Sequence, residues 1–336
     1  MLQPTPDFSI SLDGKDLSPK ITPILISLTI TECRGDEADA LDLVLDDSDG
    51  RLALPKKGAV LAVSMGWIGQ ALVDKGTFTV DEVEHAGAPD AITVRARSAS
   101  MTKNMGERQE KSWHDQTLGA IVRAIAGKHK LKPTVSDALG KVRIPHIDQT
   151  QESDMAFLTR LAKRYDAVMT VKDSRLLFLP IGAGASVSGK PLPVVTIERN
   201  SGDQHRYSVR DRGNYEGVRA YWHNGQKGKR HTVYVGGESP RGLKTLPEVY
   251  ATEGEARAAA KSELQRIERG QATMAYSLAL GRPEIRPELS VTVRGFKPEI
   301  DGTDWLVARA THTISDAGLQ TSLELERGGA PSSGSV

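Results

Sequence analysis

Cysteine is nearly absent. The 336-residue chain has one, Cys33, so an internal disulfide is excluded and no thiol pair exists for a cysteine-based metal cluster. That usage suits a reducing compartment. Net charge is missing too: 44 basic and 43 acidic side chains leave +1, which argues against a dedicated nucleic-acid binder or a membrane-surface protein. No run approaches the ~20 apolar residues of a membrane span. The most apolar candidate, residues 21–30, is interrupted by Thr22, Pro23, Ser27 and Thr29. Residues 1–12 have no basic region and no unbroken apolar core, so export by a signal peptide is not expected. Aromatics make up only 5%, while 32 glycines and 17 prolines suit turn-rich β structure rather than a helical bundle.

Catalytic signatures are missing as well. There is no GxSxG elbow, no GxxxxGK[ST] phosphate loop and no GxGxxG; the GAGAS at 182–186 precedes no helical pattern and reads as linker. The histidines, at 85, 114, 129, 146, 205, 223, 231 and 312, form no HxH, HExxH or HxxxH pair. His223 and His231 bracket a Gly- and Lys-rich turn and could meet across a hairpin, but ordinary strand histidines are the simpler reading. The DDSDG at 46–50 fails as a calcium loop, because counting from Asp47 puts Gly58 where a bidentate Glu is needed. Glu82 and Glu84 share a strand face and are the pair a glycosidase would require, although solvent-exposed strand carboxylates are the default. No catalytic, cofactor-binding or metal-ligating residue is assigned, and no enzyme is expected.

What is present is strands around one bounded α/β stretch. Alternation of apolar and polar residues predicts strands at 8–12, 27–31, 41–45, 59–63, 78–84 and 91–97, a small antiparallel barrel or sandwich over residues 1–112. Next, Leu118, Ile121, Val122, Ile125 and Ala126 form one helical stripe, with Asp115 as the expected cap and Gly127 as the stop. A second helix starts at Ser153 and Asp154 and carries Phe157, Leu158, Leu161, Ala162 and Tyr165. Residues 167–171 and 175–179 then read as a hairpin across Lys172, Asp173 and Ser174, ended by Pro180.

The order WHDQTLGAIVRAIAGKHKL, VRIPHIDQT and ESDMAFLTRLAKRYDAVMTVKDSRLLFLP resembles the phage late control D family, baseplate hub proteins of contractile tails related to the hub part of VgrG proteins. The resemblance implies a structural role in a phage tail baseplate or a tail-like bacteriocin, assembled in the bacterial cytoplasm. It also implies a homotrimer, partnered by a separate spike protein, the tail tube protein, baseplate wedge proteins and the tape-measure protein. No membrane or specific nucleic acid is among the expected partners. Because a VgrG chain continues into a spike, the short stretch after Glu326 favours the late control D branch over a type VI secretion hub. A tail-borne cell-wall hydrolase is the rival reading.

Beyond a linker at 182–193, strands resume at 194–197, 207–210, 216–222 and 231–235. A third helix follows at 253–269, with Thr252 and Glu255 as a capping box and Gly270 just past its end. The last strands are 273–280, 289–294, 305–312 and 319–326, before a polar tail at 328–336 expected to be disordered. The expected fold is therefore α+β, mainly β: antiparallel barrels of the tube type at 1–112 and 181–327, with an α/β insertion at 113–180. A weak internal repeat supports the pairing of barrels, since GTFTVDEVEH (76–85) lines up with TDWLVARATH (303–312). Two such modules per chain would let three copies present six similar domains, so that a threefold hub meets a sixfold tube. The eight carboxylates of 32–49 and the basic, Tyr-rich 206–230 stretch are candidates for complementary contact between subunits.

Overall fold

The computed structural model describes residues 4–35, 37–98, 105–172, 175–184, 192–209, 215–224, 228–237 and 242–328. The chain is mainly β, with short helices between strands. Its first part supplies β1 (Pro6–Leu12), β2 (Lys15–Asp16), α1 (Ser18–Ile21), β3 (Leu25–Cys33), β4 (Ala40–Asp46), β5 (Val60–Trp67), β6 (Val73–Ala86) and β7 (Ala91–Ser98). The middle supplies β8 (Arg108–Thr117), α2 (Leu118–Lys128), β9 (Lys132–Val135), α3 (Asp137–Gly140), β10 (Arg143–Ser153), α4 (Asp154–Arg164), β11 (Ala167–Lys172) and β12 (Arg175–Pro180). There follow β13 (Val195–Glu198), β14 (Gly202–Val209), β15 (Gly217–Asn224), β16 (Lys229–Gly236), β17 (Leu243–Tyr250) and α5 (Glu253–Gly270). The chain closes with β18 (Ala272–Leu278), β19 (Ser290–Arg294), α6 (Pro298–Asp301), β20 (Trp305–Ser315) and β21 (Gly318–Arg327).

Two compact units result. One takes Met1–Ser100, Pro193–Arg206 and Met274–Leu325; the other takes Met101–Leu192, Tyr207–Thr273 and Glu326–Val336. The first is built on a 13-stranded sheet that runs β14-β18-β21-β20-β3-β4-β7-β6-β5-β1-β2, with β19 beside β20 and β13 beside β19. Front and rear strands thus share one sheet, and among the described residues no pairing closes it into a barrel. The join is β20 against β3, Arg309 facing Cys33 through Ile314 facing Leu28. Alternation sets the inner face: Leu41 and Leu43 of β4 are buried with Ile10, Leu28, Ile30, Val63, Phe78 and Val94, while Asp42 points away.

In the second unit, α2 and α4 pack their apolar stripes into one core with Trp113, Ile144, Met169 and Phe178. Ser153 caps α4 as expected, its hydroxyl accepting from the Ala156 N–H at 3.1 Å. For α2 the expected cap is wrong. Asp115 lies in β8 at φ 47°, and Thr117 accepts from the Ala120 N–H at 3.1 Å instead. The reason is tertiary: β8 stays paired with β10 as far as Thr117 opposite Arg143, so the helix cannot begin earlier. The hairpin of β11 and β12 has the expected register, Ala167 facing Pro180 and Lys172 facing Arg175; its tip at 173–174 lies outside the described residues. α5 covers a third sheet, β16-β15-β17, placing Ala256, Ala259 and Ala260 on Val218, Ala220 and Val233. Thr252 accepts from the Glu255 N–H at 3.2 Å, and Glu255 reaches back to the Ala251 N–H at 3.3 Å. The helix runs one residue further than predicted, through Gly270 to a cap at Gln271. Sequence patterning missed β17 because Pro247 interrupts it; the register shift between Arg219 and Tyr221 opposite absorbs the proline. The expected linker (mostly 185–191) and the tail from 329 lie outside the described residues.

Candidate functional site

The residues singled out for chemistry turn out to be tied into local structure. Glu82 and Glu84 both bind the Arg95 guanidinium, at 2.7 and 3.1 Å, and Asp42 approaches it at 3.7 Å. In the DDSDG turn the carboxylates cap their own backbone: Asp46 accepts from the Ser48 N–H at 2.9 Å and Asp49 from the Arg51 N–H at 3.1 Å, while Asp47 is buried beside His85 at 3.4 Å. His223 and His231 do not face each other. His231 sits opposite Trp222 and stacks on it, ring centroids 4.7 Å apart. In the basic stretch, Arg219 and Arg230 lie over the Tyr221 ring at 5.5 and 4.4 Å, so that aromatic face is already taken by cations of the chain. Among the described residues no group of three or more His, Cys, Asp or Glu is placed to hold a metal.

Other polar constellations were invisible to sequence spacing. Glu32, expected on an acidic surface, is buried in the first unit against Lys75 at 2.6 Å and His312 at 3.2 Å. Nε2 of His312 also faces the Ile285 carbonyl, at 3.1 Å, and two acceptors require an N–H there. Nδ1 faces the Thr321 hydroxyl at 2.9 Å, a group able to donate or accept. Burial holds the His312 pKa below its ordinary value against the pull of Glu32. Burial pushes Glu32 up, but the hydrogen bond from His312 and the Lys75 charge outweigh it and bring its pKa down to about 2. In the second unit, Asp154 accepts from Lys128 at 2.8 Å, His129 at 2.7 Å and Gln149 at 2.9 Å. Burial raises its pKa, and these bonds together bring it below the usual carboxylate range. The exposed His114 and His146 stack face to face at 4.7 Å, a pair created by the β8–β10 register. These networks secure packing rather than surround an open cleft.

The feature with a functional bearing is the strand order. In the front half it runs β3-β4-β7-β6-β5-β1, and in the rear half β14-β18-β21-β20-β19-β13, position for position in the same order along the chain. Equivalence extends to single hydrogen bonds. The Gly58 N–H binds the Val80 carbonyl and the Val80 N–H binds the Ala59 carbonyl; likewise Glu288 binds Val307 and Val307 binds Leu289. Gly58 and Glu288 both have positive φ, 86° and 71°. One pairing departs from the pattern: β1 is antiparallel to β5, whereas β13 is parallel to β19.

The fold is shared with solved tail proteins. It matches the 43 kDa tail protein of prophage MuSo2 from Shewanella oneidensis, with TM-score 0.70 and 18% identity over 96% of this chain and 98% of that one. A type VI secretion component of E. coli, described as similar in structure to the bacteriophage T4 tail proteins gp27 and gp5, matches with TM-score 0.58 and 14% identity over 96% and 77%. The family model for the phage tail baseplate hub (GPD) matches residues 22–318, and the chain belongs to that family. It is 44% identical to a probable baseplate hub protein of Escherichia phage P2, over 96% of this chain and 93% of that one, and 42% identical to its counterpart in Escherichia phage 186. Its place is the baseplate of a phage tail, as a structural hub.

Proposed function

We propose that three copies of the chain close a ring in which the front and rear strand sets occupy alternate positions, so that a threefold hub offers a sixfold face to a tail tube and a threefold face to a spike. The repeated strand order carries this reading, because two look-alike sheets in one polypeptide double the apparent symmetry of any closed assembly. In this arrangement the segments 1–112 and 181–327 provide the tube-type modules through their shared-sheet strands, β1–β7 and β13, β14 and β18–β21, and 113–180 is set between them in the chain as an α/β insertion. The open sheet of one chain becomes part of a closed wall only in the ring. The partners are the tube protein, a separate spike, the baseplate wedge and the tape-measure protein, all held by shape and interface rather than by chemistry.

Native mass determination of the purified chain tests the reading: the expected species has three times the chain mass of 36.3 kDa. A stable monomer or dimer at high concentration overturns it. The absence of a catalytic step is tested separately by incubation with peptidoglycan, where release of soluble fragments would establish a cell-wall hydrolase.

A further inference from the structure

We infer that His114 and His146, facing each other on the outer side of β8 and β10, form a two-histidine site for a divalent late transition metal of the Ni²⁺, Cu²⁺ and Zn²⁺ group; the inference stands apart from the hub reading. The strand register makes the pair. His114 lies opposite His146 and Ser112 opposite Asp148, so these four side chains share the face turned away from the buried Trp113 and Ile147. The rings stack with centroids 4.7 Å apart, and their Nδ1 atoms come within 3.1 Å of each other. A metal ion ~2.1 Å from two nitrogens 3.1 Å apart sees them about 95° from each other, near the right angle of octahedral or square-planar coordination. Imidazole nitrogen is a preferred ligand of these ions. Both side chains are exposed, so no packed core opposes turning their lone pairs onto a common point.

Hydrogen bonds on the far side of His146 prepare the site. Nε2 of His146 donates to Asp148 Oδ2 at 3.1 Å, and Asp148 Oδ1 accepts from the Ser112 hydroxyl at 2.6 Å. The Ser112 bond, ahead of the nearby His146, holds the Asp148 carboxyl below its ordinary pKa, so it stays ionised at neutral pH. With its proton on Nε2, a neutral His146 keeps the Nδ1 lone pair. A carboxylate on the far nitrogen is the usual outer partner of a metal-binding imidazole, because it fixes the tautomer and raises ligand basicity. Without metal, one proton lies between the two Nδ1 atoms, His114 donating and His146 accepting. A cation takes that proton's place, and His114 then carries its own on Nε2. Two nitrogens are the whole of the protein's share, since among the described residues no group of three or more His, Cys, Asp or Glu is placed to hold a metal. Solvent supplies the remaining positions, and the bound ion staples β8 to β10 in the folded state.

The test uses the full chain without an affinity tag. Ni²⁺ is titrated by isothermal calorimetry into wild type, His114→Ala, His146→Ala, Asp148→Asn and, as a control, His223→Ala; all four altered side chains are exposed. At one equivalent of Cu²⁺, electron paramagnetic resonance counts the imidazole nitrogens on the ion. The expected result is one site per chain that either His114→Ala or His146→Ala weakens ~100-fold, because the second ligand no longer binds as part of the same chelate. Asp148→Asn should weaken it ~10-fold through the orientation of His146. His223→Ala should leave it unchanged, and copper should carry two imidazole nitrogens in wild type and fewer in each alanine variant of the pair. Wild-type affinity no tighter than that of the two alanine variants overturns the inference, since the histidines then act singly or bond only to each other. A two-nitrogen copper signal that survives His114→Ala overturns it as well.

Discussion

Replacing Lys75 by Met tests the buried network of the first unit. The side chain keeps its length but cannot donate, so Glu32, 7% exposed, is left with His312 as partner. Removing one member of a buried pair costs ~3–5 kcal/mol. The lower end applies, because His312 still donates from Nε2. At roughly 2–4 °C per kcal/mol for a unit of this size, the transition of the first unit should fall by about 6–12 °C. The pH dependence gives an independent measure. A carboxyl brought from 4.5 to about 2 in the fold contributes roughly 3 kcal/mol, present above pH ~4.5 and lost as pH falls towards 2. In Lys75→Met much of that depression is gone, so the gap between variant and wild type should be widest near pH 7 and shrink by about pH 3. Differential scanning calorimetry across this range is the assay, and the second unit's transition serves as internal control. A gap of under about 2 °C at pH 7, or one that does not change with pH, would refute the assignment of Lys75 and Glu32 as a stabilising pair.

Three further outcomes are expected. Phe157→Ala removes a fully buried ring from the core of the second unit and should cost ~3–5 kcal/mol, read as a lower midpoint in guanidinium titration. Gly119→Ala puts a methyl 2.9 Å from the Gly140 Cα and carbonyl oxygen, both backbone, so α2 must shift off α3; the variant should lose ~1–3 kcal/mol, seen in the same titration. Asp154→Asn leaves Lys128 and His129 without their carboxylate, and the acid sensitivity of the second unit between neutral pH and about pH 3 should diminish, because a carboxyl with a depressed pKa stabilises only while ionised. Calorimetry at several pH values checks this; an unchanged pH profile would show that Asp154 does not link folding to protons.

Much of the local structure was legible in the residues. Ser153 and Thr252 cap the helices they were expected to cap, since a cap is a bond to the N–H three residues ahead and needs no distant partner. The alignment of 76–85 with 303–312 pointed to the doubled module, and the strand orders of the two halves then matched. Asp115 misled because its fate depended on how far β8 remains paired with β10. Glu32 misled for a similar reason: it looked like one of eight surface acids, and its burial depends on a histidine 280 positions away.

By itself, the chain's alternation and its capping residues determined where most strands and the three long helices form, because those choices depend on neighbours within a few residues. The resemblance carried by 113–180 also identified the family before any coordinates. Only the tertiary structure decided that front and rear strands join through β3 and β20 into one sheet. Backbone edges have no side-chain signature: every residue carries the same N–H and C=O, and only the fold settles which of them already have partners.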